Sequence, residues 1–318
     1  MRIFKNILMG LCLGIIIVLV MALFSPEAGK ILSDTWNNWM SDATEVAKKS
    51  TEKIAGDTFT ALFADGQQVS DSTDTNDSGI TGAGESFNGT YNIYYEMLDD
   101  NEKQLYAQMY ANASEGASSF APVVQVSVDQ IQTVFEAVFY DHPELFWLDT
   151  GYSYQYTEDG TIVAIVMKYN DTINHLNEAK TQYDNQVNAI LNDASQYAEP
   201  VDKERCIHDD LLNLIQYDQN ASLNQSAYSA LVNHSTVCAG YAKAFQYVMN
   251  QAGIPTYYVV GTSEGEDHAW NLVYLNGTYV NVDLTWDDTG NSPYRFFNVS
   301  DEEMNESHTR TGLSVNLP

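Results

Sequence analysis

The chain has 318 residues, 14 of them basic and 43 acidic, for a formal net charge of −29. That balance excludes nucleic acid as a partner, because phosphate neutralisation requires a basic surface. The charge favours solubility and repulsion between chains, and the length suffices for one large or two modest domains.

The first element is an apolar run. Ile7–Phe24 carries no charge over 18 residues and follows Arg2 and Lys5. It stands at the lower limit for a membrane span. Basic residues on its N-terminal side hold that end in the cytoplasm and export the rest. A cleaved signal peptide is the rival, with Val20-Met21-Ala22 as a small-residue cleavage site. The apolar run continues through that site, so residues 1–24 read as an uncleaved anchor at the cell membrane. The remainder is then extracellular, or secreted if the segment is cleaved. Cys12 has Leu11 before it, not the small residue of a lipoprotein signal, and reads as inert.

Residues 25–86 read as a stalk. Ser33–Leu62 is expected to hold a helix, with Trp36, Trp39 and Met40 as an apolar patch near the membrane. Gly66–Ser86 is rich in Ser, Asp, Thr and Gly, buries too little to offset its ordering entropy, and is expected to be disordered. Asp74, Asn76, Ser78, Gly79 and Glu85 fit the spacing of a calcium loop. No flanking helices accompany them, and a Ser/Asp/Gly tract matches such spacing by chance.

Residues 87–200 read as an accessory α/β region without catalytic residues. Tyr94, Met97, Leu105, Met109 and Tyr110 recur at helical spacing across Tyr91–Asn112. Ser127 caps a second helix, whose stripe is Ile131, Val134, Phe135, Val138 and Phe139. Asp141-His142-Pro143-Glu144 breaks it, with His142 as a local cap. A hairpin follows, Tyr152–Tyr156 and Ile162–Tyr169, turning at Asp159-Gly160. Further helices are expected over Ile173–Gln196 and Val201–Gln216. In the latter, Ile207, Leu211, Leu214 and Ile215 share a face, and His208-Asp209-Asp210 reads as a solvated one. The chain contains no His-x-x-x-His and no Cys-x-x-Cys pair, so neither a metal nor another cofactor is expected. Cys206 reads as an unpaired helix residue, since a disulfide to Cys238 would consume the candidate nucleophile.

The stretch from Thr236 to Asp288 carries the chemistry. Ala239, Ala242, Phe245, Met249 and Ala252 draw one helical stripe, with Thr236 as N-cap, and Gly253 and Pro255 end the helix. Cys238 falls in the first turn, where the helix dipole favours a thiolate. Asn276-Gly277 signals a two-residue hairpin turn. With Leu275 and Thr278 flanking it, Trp270 faces Asp283 and His268 faces Thr285. His268, Trp270, Leu272, Tyr274, Tyr279, Asn281, Asp283 and Thr285 then share one face. Ala269, Val273, Leu275, Val280, Val282 and Leu284 form the apolar face, together with Asn271. His268 and Asp283 become diagonal neighbours about 7–8 Å apart.

These motifs resemble the transglutaminase-like superfamily, relatives of the papain-like cysteine proteases. They are V-C-x-G-Y-A at Val237–Ala242, G-I-P at Gly253–Pro255, H-A-W-N at His268–Asn271 and V-D-x-T-W-D-D at Val282–Asp288. They cover about the last third of the chain. Bacterial proteins of this kind often carry a D-H-P-E-x-F-W-L segment upstream, as here, which fits a surface-anchored or exported bacterial member. The resemblance implies an α+β fold for residues 201–318, with the nucleophile helix packed on an antiparallel sheet. It implies Cys238 as nucleophile, His268 as base and Asp283 as orienting acid. The expected activity is thiol-dependent acyl transfer on extracellular protein or peptide substrates. A peptidase or deamidase with the same triad, and a non-catalytic binding module, are the alternatives. The Cys238 N–H serves as one oxyanion donor, and Gln216, Tyr217 and His234 all stand open as the second. Trp270 and Trp286 are candidates to shield a thioester from water.

Overall fold

The computed structural model describes residues 63–69, 77–290 and 292–318. Ile7–Phe24, the helix expected over Ser33–Leu62, and the candidate calcium ligands Asp74 and Asn76 lie outside them. Among the described residues no helix is long and apolar enough to cross a membrane.

The chain begins with β1 (Phe63–Gln68), inside the expected stalk. Helices α1 (Ile93–Glu96) and α2 (Asp100–Glu115) follow, then β2 (Ser119–Phe120) and α3 (Val128–Asp141). The single helix expected over Tyr91–Asn112 is therefore two. Asp99 divides them, because its carboxylate accepts from Asn101 and Glu102 N–H while Glu102 reaches back to its own N–H. Ser127 caps α3 as expected, in a box with Gln130.

The expected hairpin is present as β3 (Leu148–Tyr156) and β4 (Ile162–Tyr169). With β1 and β2 they form a sheet in the order β1-β3-β4-β2, in which β1 runs parallel to β3. The tract expected to be disordered from Gly66 onward thus gains partners that composition could not reveal. Gly66 to Gln68 pair with β3, and the Asn112 amide bonds both Ile80 N–H and Ile80 C=O. A 3₁₀ turn at Asp171–His175 leads into α4 (Leu176–Ala194), and α5 (Pro200–Leu214) follows.

The short strands β5 (Gln216–Tyr217) and β6 (Ser235–Thr236) pair on either side of α6 (Ala227–Leu231). Helix α7 (Cys238–Gln251) packs on a second sheet, built from β7 (Thr256–Ser263), β8 (Glu266–Leu275) and β9 (Thr278–Val282). Helices α8 (Leu284–Thr289) and α9 (Asp301–Met304) come next, and β10 (His308–Arg310) closes that sheet in the order β10-β7-β8-β9. Every neighbouring pair in it is antiparallel. The expected α+β arrangement, a cysteine helix on an antiparallel sheet, is what forms.

Helix α7 is held from both sides. Lys243 donates to Phe139 C=O at 2.9 Å, and Gln246 Nε2 donates to Tyr140 C=O at 2.8 Å. Lys243 is buried, and desolvation pushes its ammonium well below the usual lysine range. On the sheet side, Asn271 Nδ2 donates to Ala242 C=O at 2.9 Å. That bond, with a second from the same nitrogen to Tyr257 C=O at 3.3 Å, gives the polar member of the otherwise apolar face its role.

Candidate active site

The residues before α7 set the position of the sulfur. Val237 is the N-cap, and no side chain caps the helix. Thr236, expected there, turns away: its hydroxyl accepts from Ser229 Oγ at 2.5 Å and donates to Asn224 C=O at 3.0 Å. Gly240 makes this possible, because a Cβ there would stand 1.9 Å from Thr236 Oγ1. Cys238 is buried beside the positive end of the α7 dipole.

The hairpin register is the expected one: Tyr274 opposite Tyr279, and Leu275 opposite Thr278. Asn276 and Gly277 both take positive φ, 52° and 88°, as their turn requires. The strand stops earlier than expected, at Val282. Asp283 leaves the ladder and caps α8: its N–H donates to Phe296 C=O at 3.0 Å, and its Oδ1 accepts from Trp286 N–H at 3.1 Å. Leu284 and Thr285 are helical, so the expected pairing of His268 with Thr285 does not occur. Much of the face that carries His268 is buried as well. Trp270, Leu272, Asn281 and Asp283 are buried, whereas Val280 on the expected core face is half-buried.

Capping turns Asp283 toward His268. His268 Nε2 and Asp283 Oδ2 lie 2.7 Å apart. That leaves Nδ1 for the hydrogen bond His268 shares with the Cys238 side chain. Burial opposes the charge on His268. The Asp283 carboxylate, its hydrogen bond and Cys238 overcome this and hold the imidazolium up to about 10. Burial likewise opposes the charge on Asp283, but His268 and a bond from His308 keep its carboxyl well below the usual range.

His308 carries no signal in the sequence. It lies in a three-residue strand beyond the last motif, with no spacing to link it to the others. Its Nε2 stands 3.0 Å from the same Asp283 Oδ2, and its Nδ1 stands 2.8 Å from Ser307 Oγ. His268, Asp283 and His308 bring three ligand-type atoms within 4.8 Å. Here both Nε2 atoms are engaged in hydrogen bonds to the one Asp283 oxygen.

The cleft at His268 has a volume of about 430 Å³ and is lined by Tyr217, Ser263, Glu264, Glu266, Asp267, Thr285, Trp286 and Thr289. Of the three open oxyanion candidates, Tyr217 lines it. His234 is exposed, and its C=O takes up the Gln216 N–H at 2.9 Å. Trp286 borders the cleft, whereas Trp270 is buried with its Nε1–H on Asn281 Oδ1 at 3.1 Å. A larger cavity of about 610 Å³ opens at the far end of α7 beside His142. There His142 bonds Tyr106 and Glu144 rather than a cysteine, so the smaller cleft is the one joined to the chemistry.

The other aspartates of the last motif are structural. Asp287 Oδ2 meets His208 Nε2 at 3.2 Å, and Asp288 Oδ2 accepts from Tyr241 OH at 2.5 Å. His208 is fully buried, contrary to the solvated face expected for it. Neither Cys206 nor Cys238 is in a disulfide.

Residues 185–284 match the profile of the transglutaminase-like superfamily. They form a transglutaminase-like domain. The kyphoscoliosis peptidase of Mus musculus is 30% identical over 132 residues, a match covering 35% of this chain and 20% of the mouse protein. That of Homo sapiens is 32% identical over 125 residues, covering 34% and 18%. The aligned region thus spans about a fifth of the length of these relatives. A crystal structure of a TGase covers 58% of this chain and 54% of its own, at 18% identity and a TM-score of 0.32.

Proposed function

We propose that this protein catalyses thiol-dependent acyl transfer on protein or peptide substrates, with Cys238 as nucleophile, His268 as acid and base, and Asp283 as the group that orients the imidazole. The observation that carries the reading is one hydrogen-bonded chain at the cleft. Asp283 Oδ2 holds His268 Nε2, and His268 in turn bonds the Cys238 side chain at the start of α7.

In the first half-reaction the Cys238 thiolate attacks the carbonyl carbon of a carboxamide or peptide. The C–N bond breaks, the proton on His268 Nδ1 passes to the departing amine, and a thioester remains. In the second half, His268 takes a proton from the incoming nucleophile as that nucleophile displaces the sulfur. An amine acceptor makes the enzyme a transglutaminase, and water makes it a peptidase or deamidase. The relatives named as peptidases support the hydrolytic branch. The Cys238 N–H is one oxyanion donor in this scheme, and Tyr217, beside the cleft, belongs to the segment that supplies the second.

The reading extends to the cell surface, with Ile7–Phe24 as the anchor. Its support is the uncharged run and the basic residues before it. The test is the full chain offered a glutamine peptide, with and without a primary amine. Release that depends on Cys238, of ammonia from the glutamine side chain or of a peptide fragment from the backbone, is expected in both cases, with amine incorporation only on the transfer branch. A chain that releases nothing, and whose Cys238 alkylates only above about pH 8 like an ordinary thiol, is a binding module instead.

A further inference from the structure

Asp283 is held by three donors on three elements. His268 Nε2 on β8 and His308 Nε2 on β10 both meet Oδ2, at 2.7 and 3.0 Å, and the Trp286 N–H in α8 meets Oδ1 at 3.1 Å. An ionised carboxylate only accepts, so each imidazole carries its proton on Nε2. Ser307 fixes the His308 tautomer from the other side, because its hydroxyl can donate to the Nδ1 that this tautomer leaves bare, 2.8 Å away.

The chain builds a place for this second imidazole. His308 is 1% exposed and packs between the rings of Trp270 and Trp286, at centroid distances of 5.1 and 5.2 Å. Strand β10 reaches that place because β7 has a glycine where the two come closest: a Cβ on Gly261 would lie 2.1 Å from Thr309 C=O. An apolar side chain would fill such a pocket at lower desolvation cost than an imidazole. What the imidazole adds is a donor aimed at the oxygen that also holds His268.

We propose that His308 is a positioning residue of the acyl-transfer reaction, acting through Asp283. It fixes the carboxylate against His268 and shares the charge on Oδ2, so that His268 stays aligned with Cys238 and releases its proton to the leaving amine. His308 does not line the cleft and touches no substrate. The titratable groups facing His268 are Asp283 from α8, His308 from β10 and Cys238 from α7, and Tyr217 on β5 also borders the cleft. Glu266 and Asp267 belong to its own strand.

The inference rests on the triad reading, and the experiment separates the two. In ¹⁵N-labelled full chain near pH 7, the proton between His268 Nε2 and Asp283 Oδ2 should appear at low field. In His308→Phe the ring packing stays but the competing donor goes. The His268–Asp283 bond should then tighten and its proton move further downfield. Turnover of the glutamine peptide should fall about 10- to 100-fold with KM little changed, the effect of losing a hydrogen bond to a charged group. His308→Gln restores an N–H donor, so it should return the resonance towards the wild-type position and recover most of the rate. Ser307→Ala leaves the packing alone and should give a smaller downfield shift, which decides the matter if His308→Phe does not fold. A resonance unmoved in both His308→Phe and Ser307→Ala, or a Gln variant as impaired as Phe, overturns the role of His308. A wild type with no such low-field proton overturns the triad reading itself.

Discussion

Cys206 and Cys238 differ in what surrounds the sulfur. Burial, then Asp210, push the Cys206 thiol up to about 11, and its Sγ lies 3.7 Å from Asp210 Oδ2. Cys238 has an imidazole beside it and a helix dipole behind it. At pH 6–7, iodoacetamide is therefore expected to modify Cys238 and spare Cys206, as read by peptide mass spectrometry. Cys238→Ala should abolish activity with the circular dichroism spectrum retained, and Cys206→Ala should leave activity nearly intact. Equal loss in both variants contradicts the assignment. His268 makes a second prediction at this scale. Its native imidazolium persists to about 10, above the usual 6.5. The stability this pair lends is full below about 6.5 and is lost as pH rises through about 10. Activity should decline on the alkaline side only near that value, and a limb near 7 would show that Asp283 does not hold the charge. Legibility varies residue by residue. Cys238, His268 and Asp283 stood in motifs. His208 did carry a signal, because Glu204, His208 and Leu211 fall at i, i+4 and i+7 on one buried stripe. Three neighbouring polar residues hid it.

At the scale of elements, the sequence located strands and helices more securely than their ends. The turn at Asn276-Gly277 and the 3.6-residue stripe of α7 are local properties, and both could be read. The end of β9 is not local. It depends on Phe296, whose C=O takes the Asp283 N–H, and on Val299, whose backbone pairs with Asn281. The β1 pairing likewise depends on β3, far along the chain. Gly240 is where local and tertiary demands meet. Its missing Cβ leaves room for the Thr236 hydroxyl, which ties β6 to α6 and sets where α7 begins. Gly240→Ala gains helix propensity but places a methyl group on that hydroxyl. Overpacking should win and destabilise the chain by about 1–3 kcal/mol. Activity should fall by more than stability explains, because the first turn carries the sulfur. Urea unfolding beside the peptide assay reads both effects, and a variant as stable and active as the wild type would show that the contact is not limiting.

Across the whole molecule, a charge of −29 sets the background for two buried carboxyl groups. Burial pushes Glu204 up to about 7, against its bond from Asn298 and the nearby His208. Burial likewise pushes Asp141 up to about 7, although His142, Tyr106 and two backbone N–H groups favour its ionised form. Both bind a proton more tightly in the folded chain than in the unfolded one. Their effect on stability therefore runs opposite to that of a salt-bridged carboxylate: it falls as pH rises from about 4 to about 7. Repulsion among the remaining acidic groups acts in the same direction, and so does the loss of charge from His268 above its unfolded value. The protein should accordingly melt at a higher temperature at pH 5.5 than at pH 8. Glu204→Gln isolates one contribution. A glutamine keeps an oxygen for Asn298 Nδ2, now 2.8 Å from Glu204 Oε2, and leaves no charge to bury. At pH 8 the variant should be more stable than the wild type by on the order of 2 kcal/mol. At pH 5.5 the gap should narrow, because the wild-type carboxyl is then largely protonated. Urea denaturation at the two pH values measures both differences. A variant equally destabilised at each would mean that the glutamate is held for its packing, and that its ionisation contributes nothing to the pH dependence of folding.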